Sequence, residues 1–476
     1  MDKRITLEEL QKYLWDSAVL LRTNIDAGSY KQYIFPLLFY KRICDVYDEE
    51  TANGKTHRFT IPEGFHWNDI LAIEENIGAS LMEAFRVVEE ANGNSLTGVF
   101  GTAAWTNKNR ISDKLMRGLL EHFGSLTLSL ANCPEDELGQ GYEYLIKKFA
   151  DDSGHSAQEF YTNRSVVHLM TEMLQLLPHE SVYDPTCGTA GMLVSAIAHL
   201  KKCNMDCSDL SAFGQELNPL TAAIGKMNLF LHGVKEFDVV NADTLTAPAF
   251  TNGVALRTFD VVLANPPYSI SQWNREAFIN DPYGRNFLGT PPQSRADYAF
   301  IQHILKSMDP ISGRCAILLP HGVLFRREEM HIRENLIKSD LLECVIGLGA
   351  NLFYNSPMEA CILICRSSKE DKRQNKVLFI NAVDEVVKKK TQSELSSDHI
   401  KKIASAYRLF EDVSGFARVV EQSEIATNSY SLSIPIYVDK TQIASEIYES
   451  TDELFHNWEQ ASETMRGQIN TLKELL

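Results

Sequence analysis

The chain has 476 residues, 44% hydrophobic and 23% charged, with 46 basic against 63 acidic side chains and a net charge of −17. That length accommodates two or three domains with full cores, and the balance is that of an ordinary globular protein. No apolar run reaches the roughly 18 residues of a membrane helix, the opening MDKRITLEEL lacks the apolar stretch of a signal peptide, and nine scattered cysteines fit reduced thiols better than disulfides, so a cytoplasmic protein without membrane contact is expected.

Residues 1–150 are expected to form a helical domain. LEELQKYLWDSAVLLRTNI and YKQYIFPLLFYKRICDVYDEE carry apolar residues at three- and four-residue spacing, on either side of the breaker Ala27-Gly28-Ser29. Residues 51–64 read as a loop, and 69–90 and 113–123 return to helical period. Asp151-Asp152-Ser153-Gly154 predicts a linker.

Residues 151–390 then alternate. Strand patterns at 181–184, 212–216, 237–243, 259–265, 314–320, 341–348 and 360–366 are interleaved with helical ones at 192–202, 220–232, 298–308 and 328–339. The class is α/β, with a doubly wound, mostly parallel sheet. Only a loop joins the last two strands, which predicts an antiparallel strand at the sheet edge. Beyond Lys388-Lys389-Lys390, residues 391–476 read as helical and polar. The tail from Asp439 places Ile447, Leu454, Ala461 and Leu475 at one heptad position, with Trp458, Met465 and Leu472 at the other. Such a helix can pack on its own domain or dock on a partner.

The chemistry-bearing residues cluster at strand ends. DPTCGTAGML, residues 184–193, falls where the first strand of the alternating region turns into its helix. Gly188 and Gly191 permit close backbone approach, beside a helix N-terminus with unpaired N–H groups. It matches neither a dinucleotide fingerprint nor a phosphate loop, and Asp184 would repel a pyrophosphate. A carboxylate there suits a cationic cofactor, and S-adenosylmethionine carries a sulfonium and an ammonium. Glu216 ends the next strand, where a carboxylate accepts ribose hydroxyls. Asp243 ends the third, where one can receive an adenine amino hydrogen. Strand-end acids also serve as helix caps, but three in succession are hard to read that way. Cys203/Cys207 and Cys361/Cys365 share a four-residue spacing without a third ligand nearby, so no metal is expected.

DVVLANPPYS, residues 260–269, is a buried-strand run stopped by two prolines, which cannot join a ladder. Asn265 offers an amide oxygen, Pro266 and Pro267 form a rigid corner that aims the Pro266 carbonyl beside it, and Tyr268 supplies a stacking face. Two acceptors on one corner suit a planar amine with two hydrogens to give.

The set Asp184-Pro185-x-Cys187-Gly188-x-x-Gly191, Asn265-Pro266-Pro267-Tyr268 and the helical N-terminal region resembles the modification (HsdM) subunit of type I restriction-modification systems, an adenine-N6 DNA methyltransferase. LWDSAVLLR, FPLLFYKRICDVY, DYAFIQHIL, LPHGVLFR and ANLFYNSPMEACIL extend the likeness over nearly the whole chain. The resemblance implies S-adenosylmethionine as cofactor, with Glu159, Phe160, Tyr161, Thr162, Asn163 and Arg164 closing over its methionine end, and Thr189, Ala190 and Gly191 completing the glycine-loop contacts. Asn163 stands where that family usually has proline, which predicts a less rigid loop. Residues 355–359, Asn-Ser-Pro-Met-Glu, depart from the family's glycine-rich sequence, so no role is assigned there.

The resemblance also implies DNA as substrate and a separate specificity subunit flanked by two modification subunits, with a nuclease subunit as a further candidate partner. A partner that grips DNA resolves the acidic charge, which is the wrong sign for holding duplex DNA alone. The 391–476 region, too small and acidic to read bases, is the expected docking element. Two rivals share parts of the pattern: a methyltransferase of a protein glutamine or an RNA guanine amine, and a non-catalytic assembly subunit. Intact cofactor loop and tetrad argue against the second.

Overall fold

The computed structural model describes residues 4–22, 24–93, 96–152, 162–206, 209–352, 358–389 and 393–439, with positions 458, 460, 462 and 465 of the tail. Its first part holds α1 (Leu7–Leu21), α2 (Tyr30–Ala52), α3 (Trp67–Leu71), α4 (Ile77–Asn92), α5 (Asp113–Gly124) and α6 (Glu135–Asp152). α1 begins at a reciprocal cap: the Thr6 hydroxyl accepts from the Glu9 N–H, and the Glu9 carboxylate accepts from the Thr6 N–H at 2.9 Å. α2 is buried without interruption from Tyr33 to Val46, as befits the central helix of a bundle. Its charges are therefore paired: Lys41 with Asp45, and Arg42 donating to the Cys133 carbonyl at 2.7 Å.

The chain continues through α7 (Arg164–Leu174), β1 (Ser181–Asp184), α8 (Gly191–Lys202), β2 (Ser211–Glu216), α9 (Pro219–Leu231), β3 (Glu236–Asn241) and β4 (Val261–Ala264). Then come α10 (Arg275–Ile279), α11 (Asp297–Lys306), β5 (Arg314–Pro320), α12 (Met330–Lys338), β6 (Leu342–Leu348) and β7 (Ala360–Arg366). β8 (Lys376–Ala382), α13 (Ser397–Leu409), β9 (Ala417–Glu421) and α14 (Gln422–Thr427) follow. The strands form one sheet in the order β3-β2-β1-β4-β5-β7-β6-β8-β9.

The apolar run of β4 has a direct cause. Val261 and Leu263 face one hydrophobic cluster while Val262 and Ala264 face the other, so neither face of the strand can carry a polar residue.

Two expectations are corrected. β7 is antiparallel, but it lies inside the sheet, inserted between β5 and β6, and not at its edge. The sheet also passes the expected boundary at residue 390: β8 pairs parallel with β6, and β9 pairs antiparallel with β8 and forms the true edge. The helical bundle and the sheet domain share a core as well. Ala223, Ile224, Met227 and Leu231 of α9 pack into the cluster formed by the N-terminal helices, and the Tyr142 hydroxyl of α6 donates to the Ile224 carbonyl at 3.2 Å. The tail expected to dock on a partner lies outside the described residues apart from those four positions, of which Trp458 and Met465 are exposed.

Candidate active site

β1 pairs with β2 on one side and β4 on the other, all parallel, so chain order reverses across β1. This switch point opens a crevice at the carboxyl ends of the strands. Asp184, Glu216 and Asn265 all lie at this edge, with Asp243 two residues past the end of β3.

Asp184 is 2% exposed. Its carboxylate accepts from the Thr186 N–H at 3.0 Å, while burial, and then repulsion from Glu216, push its pKa up to about 7. The loop that follows reaches positive φ at Gly188 (54°) and at Ala190 (60°), the cap of α8. Glu216 stitches this loop to its own: one carboxylate oxygen accepts from the Gly188 N–H at 3.0 Å and the other from the Asn218 N–H at 2.8 Å. Asp243 is occupied as a cap, accepting from the Leu245 N–H at 2.9 Å, which is the blander of the two roles its position allows.

Residues not singled out in the sequence hold the loop in place. Asn228 of α9 donates to the Thr189 carbonyl at 2.8 Å. Gly225 lets α9 approach: a Cβ there would stand 3.0 Å from the Gly188 carbonyl oxygen. Gly214, in the middle of β2, leaves room for Cys187, whose Sγ would lie 2.7 Å from an added Cβ. A glycine inside a strand is a sequence signal from which this close approach could have been read.

Beyond β4, Asn265 is half-buried, Pro266 buried and Pro267 half-buried. The Asn265 Nδ2 donates to Thr162 Oγ1 at 2.9 Å, and its Oδ1 accepts from the Tyr268 hydroxyl at 2.5 Å. Burial holds the Tyr268 phenol well above its usual pKa, so it remains a donor.

Glu159, Phe160 and Tyr161 lie outside the described residues. Of the same segment, Thr162 meets Asn265 as described. Asn163 is buried; its Oδ1 accepts from the Ser165 N–H at 3.0 Å as the cap of α7, and its Nδ2 donates to the carbonyls of Ser393 at 2.7 Å and Leu352 at 3.2 Å. A position expected to loosen the loop for want of proline is tied to three segments by its side chain. Arg164 donates to the Gly191 carbonyl at 2.6 Å and to Ser195 at 2.9 Å, and pairs with Glu143 of α6, bracing α8 against the helical bundle. Of the divergent segment before β7, Met358 and Glu359 are exposed, and Glu359 lies 3.4 Å from His321.

A buried carboxylate at the end of β1, a second spanning the glycine loop from the end of β2, and the Asn-Pro-Pro-Tyr corner after the neighbouring strand belong to a methyltransferase that takes its methyl group from S-adenosylmethionine. Residues 134–446 match the family described as N-6 DNA Methylase, and residues 10–123 match the HsdM N-terminal domain. The chain belongs to this N-6 DNA methylase family, as the adenine-N6 DNA methyltransferase (modification) subunit of a type I restriction-modification system.

It is 30% identical to the type I restriction enzyme MjaVII methylase subunit of Methanocaldococcus jannaschii, over 92% of this chain and 78% of that one. With the MjaVIII methylase subunit of the same organism it shares 29% identity over 100% of this chain and 86% of the relative. The crystal structure of the type I restriction-modification system methyltransferase subunit from Streptococcus thermophilus superposes with a TM-score of 0.79 at 30% identity, over 91% of this chain and 100% of that one.

Proposed function

We propose that this subunit methylates an adenine extruded from the duplex, with Asn265 and Pro266 as the acceptors that hold its amino group. The observation that carries this reading is the contact between Tyr268 and Asn265. Asn265 Oδ1 receives a donor at 2.5 Å from a neighbouring ring, which is the interaction an adenine amine would make in its place. When adenine enters, the Tyr268 hydroxyl yields that oxygen, and its ring is the surface we propose for stacking on the base. Thr162 accepts from Asn265 Nδ2, which fixes the amide so that its oxygen faces the site.

Adenine N6 is a weak nucleophile because its lone pair is delocalised into the ring. Hydrogen bonds from its two hydrogens to Asn265 Oδ1 and the Pro266 carbonyl favour a pyramidal nitrogen with its lone pair directed outward. No strong base is required of the chain, since the nitrogen acidifies as its new bond forms. The cofactor supplies an activated methyl group and its leaving group. The residues that would hold it are Asp184 toward its cationic end, Glu216 toward the ribose, Asp243 toward the adenine amine, and the backbone of residues 188–191. Alignment of this kind is worth up to about 7–11 kcal/mol. Extruding the base costs a few kcal/mol, partly offset by stacking on Tyr268.

The complex proposed is one specificity subunit that reads the target, flanked by two copies of this chain on DNA, with a restriction subunit joining for cleavage. Its net charge of −17 supports this reading, because a partner then makes much of the phosphate contact. Labelled S-adenosylmethionine offered with DNA, with and without the specificity subunit, followed by nucleoside analysis, tests it. N6-methyladenine formed only with the partner is expected; label in protein or RNA instead would overturn the reading.

A further inference from the structure

The corner 265–268 is stiff in itself, but nothing in two prolines fixes its angle to the rest of the site. The residue after it does. Ser269 has φ +55°, a conformation that side-chain-bearing residues seldom adopt. Its N–H donates to Asp297 Oδ1 at 2.7 Å, and Arg295 reaches its hydroxyl at 3.2 Å.

Asp297 opens α11 and is 1% exposed. Its other oxygen, Oδ2, accepts from Arg326 at 2.5 Å. Arg326 follows the turn His321–Leu324 at the end of β5 and lies over Gly322, where a Cβ would stand 2.6 Å from its Nε. The same guanidinium nitrogen is 3.5 Å from Glu329, which is fully buried. One carboxylate thus joins three separate elements: the loop after β4, the start of α11 and the turn after β5. An ordinary first-turn acid would face solvent and cap its own helix; this one is directed instead at a foreign N–H and a foreign guanidinium.

Resting on the function proposed above, we infer that Asp297 and Arg326 are positioning residues that hold Ser269 in its left-handed conformation and so set the angle at which Asn265 and Tyr268 meet the adenine. Neither is expected to touch the base or the cofactor. The carboxylate is required because both of its partners are donors, and an amide has only one acceptor oxygen.

Asp297→Asn keeps the volume of the side chain, so the fold survives, but it cannot serve Ser269 and Arg326 together. Single-turnover methyl transfer by the assembled complex, affinity for S-adenosylmethionine and the melting temperature would be measured for Asp297→Asn, Arg326→Gln and the double variant. Each single change is expected to slow transfer by about 10- to 100-fold, the scale of a misplacement near 1 Å. Cofactor affinity should stay within about threefold, and the double variant should be no slower than the worse single, because the two side chains act as one unit. Wild-type rates in folded single variants would overturn the inference, as would losses that multiply in the double variant or that are matched by equal losses of cofactor affinity. The wild-type complex in the same assay tests the proposed function on its own, so slow variants beside an active wild type bear on the positioning role alone.

Discussion

Thr162 Oγ1 accepts from Asn265 Nδ2 at 2.9 Å, joining the segment proposed to cover the cofactor with the first residue of the proposed amine-holding corner, 103 positions away in sequence. The bond has a chemical purpose. An unrestrained amide can present its NH2 where its oxygen is needed, and an adenine amine would then meet a donor. Thr162→Val keeps the shape and removes the acceptor. Methyl transfer should fall about fivefold, the equivalent of one net hydrogen bond of about 1 kcal/mol, with cofactor affinity nearly unchanged. Single-turnover kinetics beside equilibrium dialysis check this; an unaltered rate would show that the amide is oriented by something else.

Tyr268 has two parts whose contributions separate. Its hydroxyl occupies Asn265 Oδ1 at 2.5 Å in the described state, whereas its ring is the surface proposed for stacking. Tyr268→Phe should therefore retain transfer within several-fold, since adenine no longer displaces a hydroxyl. Tyr268→Ala should lose about 1–3 kcal/mol of base stacking and most of the activity. Asn265→Ala should abolish transfer while cofactor binding largely survives. Nucleoside analysis and cofactor titration on the same preparations decide; a Phe variant as inactive as the Ala variant would assign the function to the hydroxyl.

The residues legible in the sequence were those whose chemistry is local. Asp184, Gly188 and the Asn265–Tyr268 corner announce themselves because a strand end, a glycine turn and a proline pair are written in consecutive residues. The positions of most of the strands along the chain, and the mostly parallel class of their sheet, followed from alternation. What stayed hidden depends on partners distant in sequence. β7 enters between β5 and β6 because pairing is chosen in three dimensions, and β9 (Ala417–Glu421) is a short strand after a long polar stretch. Asp297 carried no reading of its own in the sequence, and only the fold brings Ser269 and Arg326 to its two oxygens. Asn163 looked like the loss of a proline until its contacts with Leu352 and Ser393 were in place.

Gly225 tests whether the cofactor loop is held from behind. Its missing Cβ would stand 3.0 Å from the Gly188 carbonyl oxygen and 3.5 Å from the Ala190 Cβ, and a backbone oxygen in a tight turn has little room to retreat. Overpacking of this kind costs about 1–3 kcal/mol, and here the strain falls on the loop itself. Gly225→Ala is expected to weaken S-adenosylmethionine binding by about tenfold. Calorimetric titration giving a wild-type dissociation constant would show that the loop can shift at no cost.

The tail beyond Asp439 carries three basic and eight acidic residues, counting Asp439, together with its heptad of apolar positions. Its acidic character suits a basic, DNA-gripping partner, and among the described residues the sheet ends at β9. Truncation after Asp439 should leave cofactor binding intact and weaken assembly with the specificity subunit. Light scattering of the mixed subunits is the check, and a complex of unchanged mass would place the docking surface elsewhere.

Asp184 gives the site a pH dependence whose sign can be worked out. Burial first, and Glu216 second, raise its pKa to about 7, so the cofactor-free protein holds a proton there below neutrality. A cationic ligand favours the carboxylate, so binding expels that proton. Affinity for S-adenosylmethionine should accordingly climb as pH rises toward 7, by about tenfold per unit well below it, and level off above. Calorimetry in buffers of different ionisation enthalpy should record the released proton near pH 6, and Asp184→Asn should lose both the release and the slope. Stability runs the other way. The folded pKa exceeds the unfolded value of about 3.9, so protonation at this position favours folding at low pH, and that support is withdrawn as pH rises through about 7. The melting temperature of the cofactor-free protein should therefore decline more between pH 5 and 8 than that of Asp184→Asn; parallel curves would mean that Asp184 titrates alike in both states.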